Sequence, residues 1–201
     1  MTEVRSYDDI TTLADQLREV PYESILRTIG RVAEREDIEA YAVGGMVRDV
    51  LLGRSTTDLD FVTVGPETGI ELAEAVADEL GGHTAHVYPN FGTAAIRIPA
   101  EEALPEGHTD DALVLEFVAA RKESYRSDSR KPIVEDGTLE DDQYRRDFTV
   151  NAMAINLAPD AFGDLLDLYG GRTDLEEGLI RILYAMSFMD DPTRILRAVR
   201  F

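Results

Sequence analysis

Two aspartates one residue apart, Asp58-Leu59-Asp60, open a run of β-branched and aromatic residues that extends to Val64. On a strand, alternate side chains share a face, so both carboxylates point the same way while Leu59 packs behind them. Like charges held side by side are costly unless a cation neutralises them, and magnesium, which prefers oxygen ligands, does so. Paired metals also stabilise the attacking and leaving oxygens of phosphoryl transfer. The plainer reading is an aspartate-rich turn in an acidic chain, and the pair taken alone weighs evenly between the two. A metal site of this kind needs a third carboxylate at the same edge. Glu116, in Val114-Leu115-Glu116-Phe117-Val118, is a charge inside an apolar strand. Buried, it requires a partner or a metal; on a solvent face it requires neither.

Upstream lies Val43-Gly44-Gly45-Met46-Val47-Arg48-Asp49. Two glycines ahead of a helix let backbone N–H groups approach a phosphate, and Arg48 adds a bidentate contact. A second motif is Arg145-Arg146-Asp147-Phe148-Thr149-Val150-Asn151. Adjacent arginines point in different directions, so one reaches a phosphate or ribose while the other pairs with an acid. Asp147 falls in the same nucleotide-binding motif, and Asn151 supplies a hydrogen bond for a sugar hydroxyl. A surface ion-pair cluster is the plainer reading here. The third motif is Asp190-Asp191-Pro192-Thr193-Arg194-Ile195-Leu196-Arg197-Ala198-Val199-Arg200. Pro192 suits a helix start behind an aspartate cap. Arg194, Arg197 and Arg200 share one broad face, and Leu196 and Val199 are expected on the opposite, packed face. Asp191 offers acceptors and Arg194 donors, which together can read the Watson–Crick edge of a base. Taken alone, the motif reads more plainly as an amphipathic helix with a salt-bridged polar face. His83 and His86 are spaced poorly for joint ligation on a strand and read as ordinary strand residues.

These groups need a frame. The 201 residues suffice for one sizeable core, or for one core and the start of a second domain. Helical spacing runs from Tyr22 to about Glu36 and from Thr68 to Leu80, and Met46 to Leu52 reads as a short helix closed by Gly53. Ala40–Val43 is a short apolar stretch running into Gly44-Gly45, and strands are expected at Leu59–Val64, His83–Tyr88, Thr93–Ile98 and Leu113–Ala119. Arg121 to Asp142 reads as a long loop, of the kind that is functional or mobile. Phe148–Leu157 and Leu165–Tyr169 return to the core, and Leu175 to Phe201 reads as mostly helical. The pattern is α+β, a mixed sheet with helices, rather than a regular βαβ alternation. The chain stops inside an apparent helix, as a piece of a longer protein would.

Composition bounds the rest. No apolar run is long enough to span a bilayer and the first residues carry no apolar signal core, so neither membrane nor secretion is expected. The absence of cysteine excludes disulfides and thiolate metal sites and fits a cytoplasmic protein. The net charge of −20 argues, taken naively, against a nucleic-acid partner, although net charge does not describe a local site. Lys122 and Lys131 are the only lysines. A lysine-poor, carboxylate-rich surface fits adaptation to high salt, or simply an acidic solvated surface; dependence on molar salt separates the two.

The motifs occur together and in order, and the chain resembles the class II tRNA nucleotidyltransferases (CCA-adding enzymes) and bacterial poly(A) polymerases. The resemblance rests on VGGMVRDVLLGRSTTDLDFV, LEFVAARKESY, RRDFTVNAMAINL, DLYGGRTDL and DDPTRILRAVRF. It implies a polymerase-beta-like head over 39–170, preceded by a helical segment over 1–38 and followed by the start of a helical neck over 171–201. It implies that Asp58 and Asp60 hold Mg²⁺, and that Gly45, Arg48 and Arg145 hold triphosphate and sugar. Asp191 and Arg194 would select the base, with Arg197 and Arg200 close to the nucleotide. Asp167, Gly170, Gly171 and Asp174 would link head to neck. The implied activity is template-independent addition of CCA, CC or A to tRNA from CTP and ATP, with 121–142 a candidate element for switching from C to A. One departure is Asp190, where many members carry glutamate. Rival readings are a poly(A) polymerase, a silent nucleotide- or RNA-binding module, and a small-molecule nucleotidyltransferase.

Overall fold

The computed structural model describes residues 11–54, 56–89, 92–106, 110–124 and 133–201. Its frame is an α+β sheet of β1 (Thr11–Thr12), β2 (Glu39–Val43), β3 (Asp58–Val64), β4 (Ala85–Tyr88), β5 (Thr93–Pro99), β6 (Ala112–Ala119), β9 (Ala154–Asn156) and β10 (Asp164–Leu166). The strands lie in the order β1-β10-β9-β2-β3-β6-β5-β4. Only β3 and β6 run parallel among these neighbours; the other pairs are antiparallel. A separate ladder joins β7 (Arg121–Ser124) to β8 (Ile133–Asp136).

One face of the sheet carries the main core. Helix α2 (Glu23–Arg35) buries Ile25, Leu26, Ile29, Val32 and Ala33 at helical spacing. Helix α4 (Thr68–Glu79) buries Leu72, Ala73, Val76 and Ala77. They cover Leu59, Phe61, Leu115 and Phe117, with the Phe61 and Phe117 rings stacked at 4.9 Å. Strand alternation turns Asp58, Asp60 and Val62 to the opposite face. There a smaller apolar cluster of Val43, Val62, Ala120 and Ala154 is buried. The short α1 (Ala14–Leu17) and α5 (Ala100–Ala103) flank the sheet, and α3 (Gly45–Leu51) lies between β2 and β3.

The C-terminal third departs from expectation in three places. The segment 121–142 is not a loop throughout: its described ends pair as β7 and β8, and it runs into α6 (Leu139–Tyr144), entered through a Thr138/Asp141 capping box. The segment 175–201 is only partly helical. Helix α7 (Gly171–Glu177) ends at Gly178, and α8 (Ser187–Asp190) and α9 (Thr193–Arg200) are separate short helices. Helix α9 is also turned opposite to the sequence reading. Leu196 and Val199 are 75% and 86% exposed, whereas Arg194 is buried. Arginine spacing cannot say which face of a helix meets the rest of the molecule; here acceptors on Ser187, Tyr184 and Arg145 draw Arg194 inward. The N-terminal segment is not purely helical either, since β1 adds an edge strand beside β10. His83 precedes β4, its Nε2 3.5 Å from Glu102 Oε2, and His86 is exposed on that strand.

The link between β10 and α7 is set by Asp167. Its carboxylate accepts from the Gly171 N–H at 2.7 Å and the Arg172 N–H at 2.9 Å, satisfying the open end of α7. A side chain at Gly171 would place Cβ 2.2 Å from the Thr149 carbonyl oxygen, so this crossing requires glycine. Asp174 then accepts from Thr149 Oγ1 at 2.6 Å and from both Nε and Nη2 of Arg181. These contacts tie α7 to the 3-10 turn Thr149–Asn151.

Candidate active site

Strand β3 presents Asp58 and Asp60 at the mouth of a cleft of about 610 Å³, and Gly44 and Gly45 close the end of β2 beside them. Gly44 has φ +73°, and a Cβ there would lie 2.9 Å from Arg146 Nη1 and 3.4 Å from Asp60 Oδ2. Glycine is thus required both for the backbone and for the space in which an aspartate and an arginine approach each other. Asp60 is half-buried, and its carboxyl is pushed up to about 6. Burial is the main cause; Arg146 opposes it, while Glu116 and Asp58 add to it.

That donor set fits a divalent metal. It offers two hard oxygen donors on one strand face, one of them a carboxylate whose ionisation is disfavoured by burial first and by neighbouring carboxylates second. Among the described residues no group of three or more metal-ligating side chains is gathered. Glu116 sits opposite Asp60 in the parallel β3–β6 register, so it shares the face, but it is exposed and does not line the cleft. The expectation of Glu116 as a third carboxylate of the site is corrected: the main core lies on the other face of β6, and Glu116 is left exposed outside the cleft.

The facing wall is built by α6, the 3-10 turn and α9. Asp142 is fully buried and takes both arginines of the motif at once. Arg145 donates through Nε at 3.0 Å and through Nη2, and Arg146 through Nε at 3.2 Å and Nη2 at 2.8 Å. Burial works against ionised Asp142, but the Arg146 and Arg145 guanidinia outweigh it and hold the carboxyl below the usual range. The expectation that the two arginines divide their roles is thus corrected. On a helix, Asp142 lies one turn before both, so both reach it.

Asn151 is likewise a strut. Arg48 Nη1 donates to its Oδ1 at 2.7 Å, and its Nδ2 donates to Asp147 Oδ1 at 3.0 Å. Arg48 also binds Asp49 through Nε at 3.0 Å and Nη2 at 3.1 Å. Asp147, nearly buried, accepts from its neighbour Phe148 N–H at 2.8 Å and from Arg197 Nε at 2.6 Å. At the start of α9, Asp191 Oδ1 accepts from Thr193 N–H at 2.9 Å and Thr193 Oγ1 at 2.6 Å. These bonds, the hydroxyl's first, hold the Asp191 carboxyl below its ordinary value. Its Oδ2 lies 3.9 Å from Arg194 Nε, which leaves an acceptor beside a donor.

Gly44, Gly45, Arg48, Asp58, Asp60, Arg145, Asp147, Asn151, Asp191, Arg194, Arg197 and Arg200 all line this one cleft, although they come from four separate stretches of chain. Of the candidate catalytic and nucleotide-binding residues, Glu116 alone does not. The structure adds Arg146, Thr193 and Phe201 to the lining, with the Phe201 ring 5.0 Å from the Arg48 guanidinium. It also adds Asp142 behind them. The spacing Asp142-x-x-Arg145-Arg146 signals this pairing once α6 is recognised as a helix. Six arginines and four aspartates line the cleft, which gathers cations in a chain of net charge −20.

The family model for the poly A polymerase head domain matches residues 40–181. The chain belongs to the poly A polymerase head-domain family. An A-adding tRNA nucleotidyltransferase of Aquifex aeolicus is 44% identical over 82% of this chain and 18% of its own length. A CC-adding tRNA nucleotidyltransferase of Deinococcus radiodurans is 40% identical over 82% of this chain and 40% of its own. Among solved structures, a CCA-adding enzyme in its apo form II matches all of this chain and 43% of its own, with a TM-score of 0.80 and 36% identity. A CCA-adding enzyme in complex with ATP likewise matches all of this chain and 42% of its own, with a TM-score of 0.75 and 35% identity. The chain thus spans well under two thirds of the relatives it matches. Among the described residues no helix is long and apolar enough to cross a membrane.

Proposed function

We propose that this head domain transfers nucleotides from CTP and ATP to the 3′ end of RNA, with tRNA as the acceptor and CCA, CC or A as the product. The observation that carries the reading is the meeting of two chemistries in one cleft: the Asp58/Asp60 pair and the Asp191/Arg194 acceptor–donor pair. Cytosine and adenine both present an amino donor next to a ring-nitrogen acceptor on the Watson–Crick edge. Asp191 Oδ2 suits the amino group and an Arg194 N–H suits the ring nitrogen. Uracil and guanine present the reverse order and leave both side chains mismatched, so the protein takes the place of a template.

Asp58 and Asp60 would hold Mg²⁺, which when bound supplies charge neutralisation at the triphosphate and polarises the reacting oxygens. The Gly44–Gly45 backbone gives the triphosphate close approach, and the arginine wall supplies counter-charge that needs no rearrangement as the reaction proceeds. Attack by the RNA 3′-hydroxyl on the α-phosphorus then releases pyrophosphate. Residues 39–170 form the catalytic head in this reading, 171–201 begin the neck, and the protein works in the cytoplasm. A poly(A) polymerase is the second reading, favoured by the description of the matching family.

Replacing Asp58 or Asp60 by alanine in the full natural chain tests the proposal. Extension of tRNA transcripts should fall by roughly 10²-fold or more while circular dichroism is unchanged. Retained extension in a folded double variant refutes it. Long A tails in place of a defined CC, A or CCA product select the second reading.

A further inference from the structure

Arg194 is the cleft arginine most completely held by neutral groups. Its side chain is 8% exposed, and its hydrogen bonds run to neutral oxygens, while its ion pair with Asp191 is a long one, Nε to Oδ2 at 3.9 Å. Nη1 donates to Ser187 Oγ at 2.7 Å and to the Tyr184 hydroxyl at 3.2 Å, and Nη2 donates to the Arg145 carbonyl at 2.7 Å. Carboxylate pairing, which fixes Arg145, Arg146 and Arg197, would have drawn its charge away from the cleft. Neutral acceptors fix its plane, and Nε faces Asp191 Oδ2 at 3.9 Å, longer than a hydrogen bond.

The holding groups are themselves ordered. Ser187 is fully buried. The Tyr184 ring stacks on Tyr144 at 5.3 Å between centroids, and the Arg194 guanidinium lies 5.8 Å from the Tyr184 ring. A guanidinium only donates, so the Tyr184 and Ser187 oxygens accept from Nη1 and together fix the direction in which Arg194 faces the cleft.

Resting on the base-reading role proposed for Arg194, we infer that Tyr184 and Ser187 are specificity-determining positioning residues: they lock the Arg194 guanidinium in the plane that discriminates cytosine and adenine from uracil and guanine. They touch no substrate and act through Arg194 alone. Loosening the lock lets Arg194 turn its donors to other edges. Discrimination then falls before catalysis does, because the Asp58/Asp60 wall is untouched.

The test measures kcat/KM for each of the four nucleoside triphosphates on a tRNA acceptor, with the full natural chain and its Tyr184→Phe, Ser187→Ala and Arg194→Ala variants. Tyr184→Phe retains the ring stack and removes only the acceptor. A lost hydrogen bond to a charged group predicts that preference for CTP and ATP over UTP and GTP drops roughly tenfold in Tyr184→Phe and in Ser187→Ala. A larger drop is expected in Arg194→Ala. Thermal melts report folding, so if one of the two variants fails to fold, the other decides. If Arg194→Ala lowers discrimination while both positioning variants leave the preference intact, or lower all four substrates equally, the inference is overturned and the base-reading role stands. Unchanged discrimination in Arg194→Ala overturns both.

Discussion

The two walls of the cleft solve their electrostatics in opposite ways. On β3, Asp58 and Asp60 face each other's charge with Glu116 nearby, and Asp60 is pushed up to about 6 because burial and those neighbours outweigh Arg146. On the facing wall almost every charge is settled within the protein: Asp142 between Arg145 and Arg146, Asp147 with Arg197, and Arg48 with Asp49. The strand wall holds an electrostatic deficit that a cation relieves, while the arginine wall spends its charge on rigidity. A site that must accept a cationic and an anionic guest together benefits from both: one wall is receptive, and the other holds its shape.

The largest effect on stability should come from the settled wall. Asp142→Ala leaves two guanidinia without their buried partner and should cost about 3–5 kcal/mol in denaturant unfolding. A loss under 1 kcal/mol would mean that water already shares the load. The next effect has the opposite sign. Because the Asp60 carboxyl is raised in the fold above its ordinary 3.8, its ionisation weakens the native state as pH rises through about 6. Metal-free Asp60→Asn should therefore be more stable than the parent above pH 6, by at most about 3 kcal/mol. The gain should vanish below about pH 4, where the carboxyl is protonated in both states. Magnesium should narrow the gap by binding the parent, and a gap unaffected by pH or metal would contradict the deficit. Arg197→Ala removes a half-exposed partner from Asp147, which keeps its bonds to Phe148 and Asn151; melting should register about 1 kcal/mol or less. The smallest effect is that of the exposed Glu116→Gln. It should change stability within ~0.5 kcal/mol while moving the pH midpoint of the Asp60 effect downwards.

The same contrast explains what the sequence made legible. The strand wall depends on local rules: alternation along β3, and two glycines closing β2 ahead of α3. Its residues and their common face follow from spacing alone, and so do the α+β class and the helices α2 and α4. The arginine wall depends on which distant acceptors meet which donors. Asn151 reads as a sugar ligand until Arg48, far back in the chain, takes its oxygen. Leu196 and Val199 read as a packed face until Ser187, Tyr184 and the Arg145 carbonyl are seen to turn Arg194 inward instead. Arg121 to Asp142 reads as a loop because polar strands in a two-stranded ladder carry no apolar alternation. Glu116 could be placed on its strand but not on a face, since burial on one side of β6 is decided by α4.

Single-nucleotide extension by the full natural chain tests the central claim most directly: each triphosphate supplied alone with magnesium to tRNA transcripts ending before, within and after the CC step. The account predicts incorporation of C or A, stopping at a defined length, with U and G rejected. Incorporation of all four alike, or of none, would contradict it.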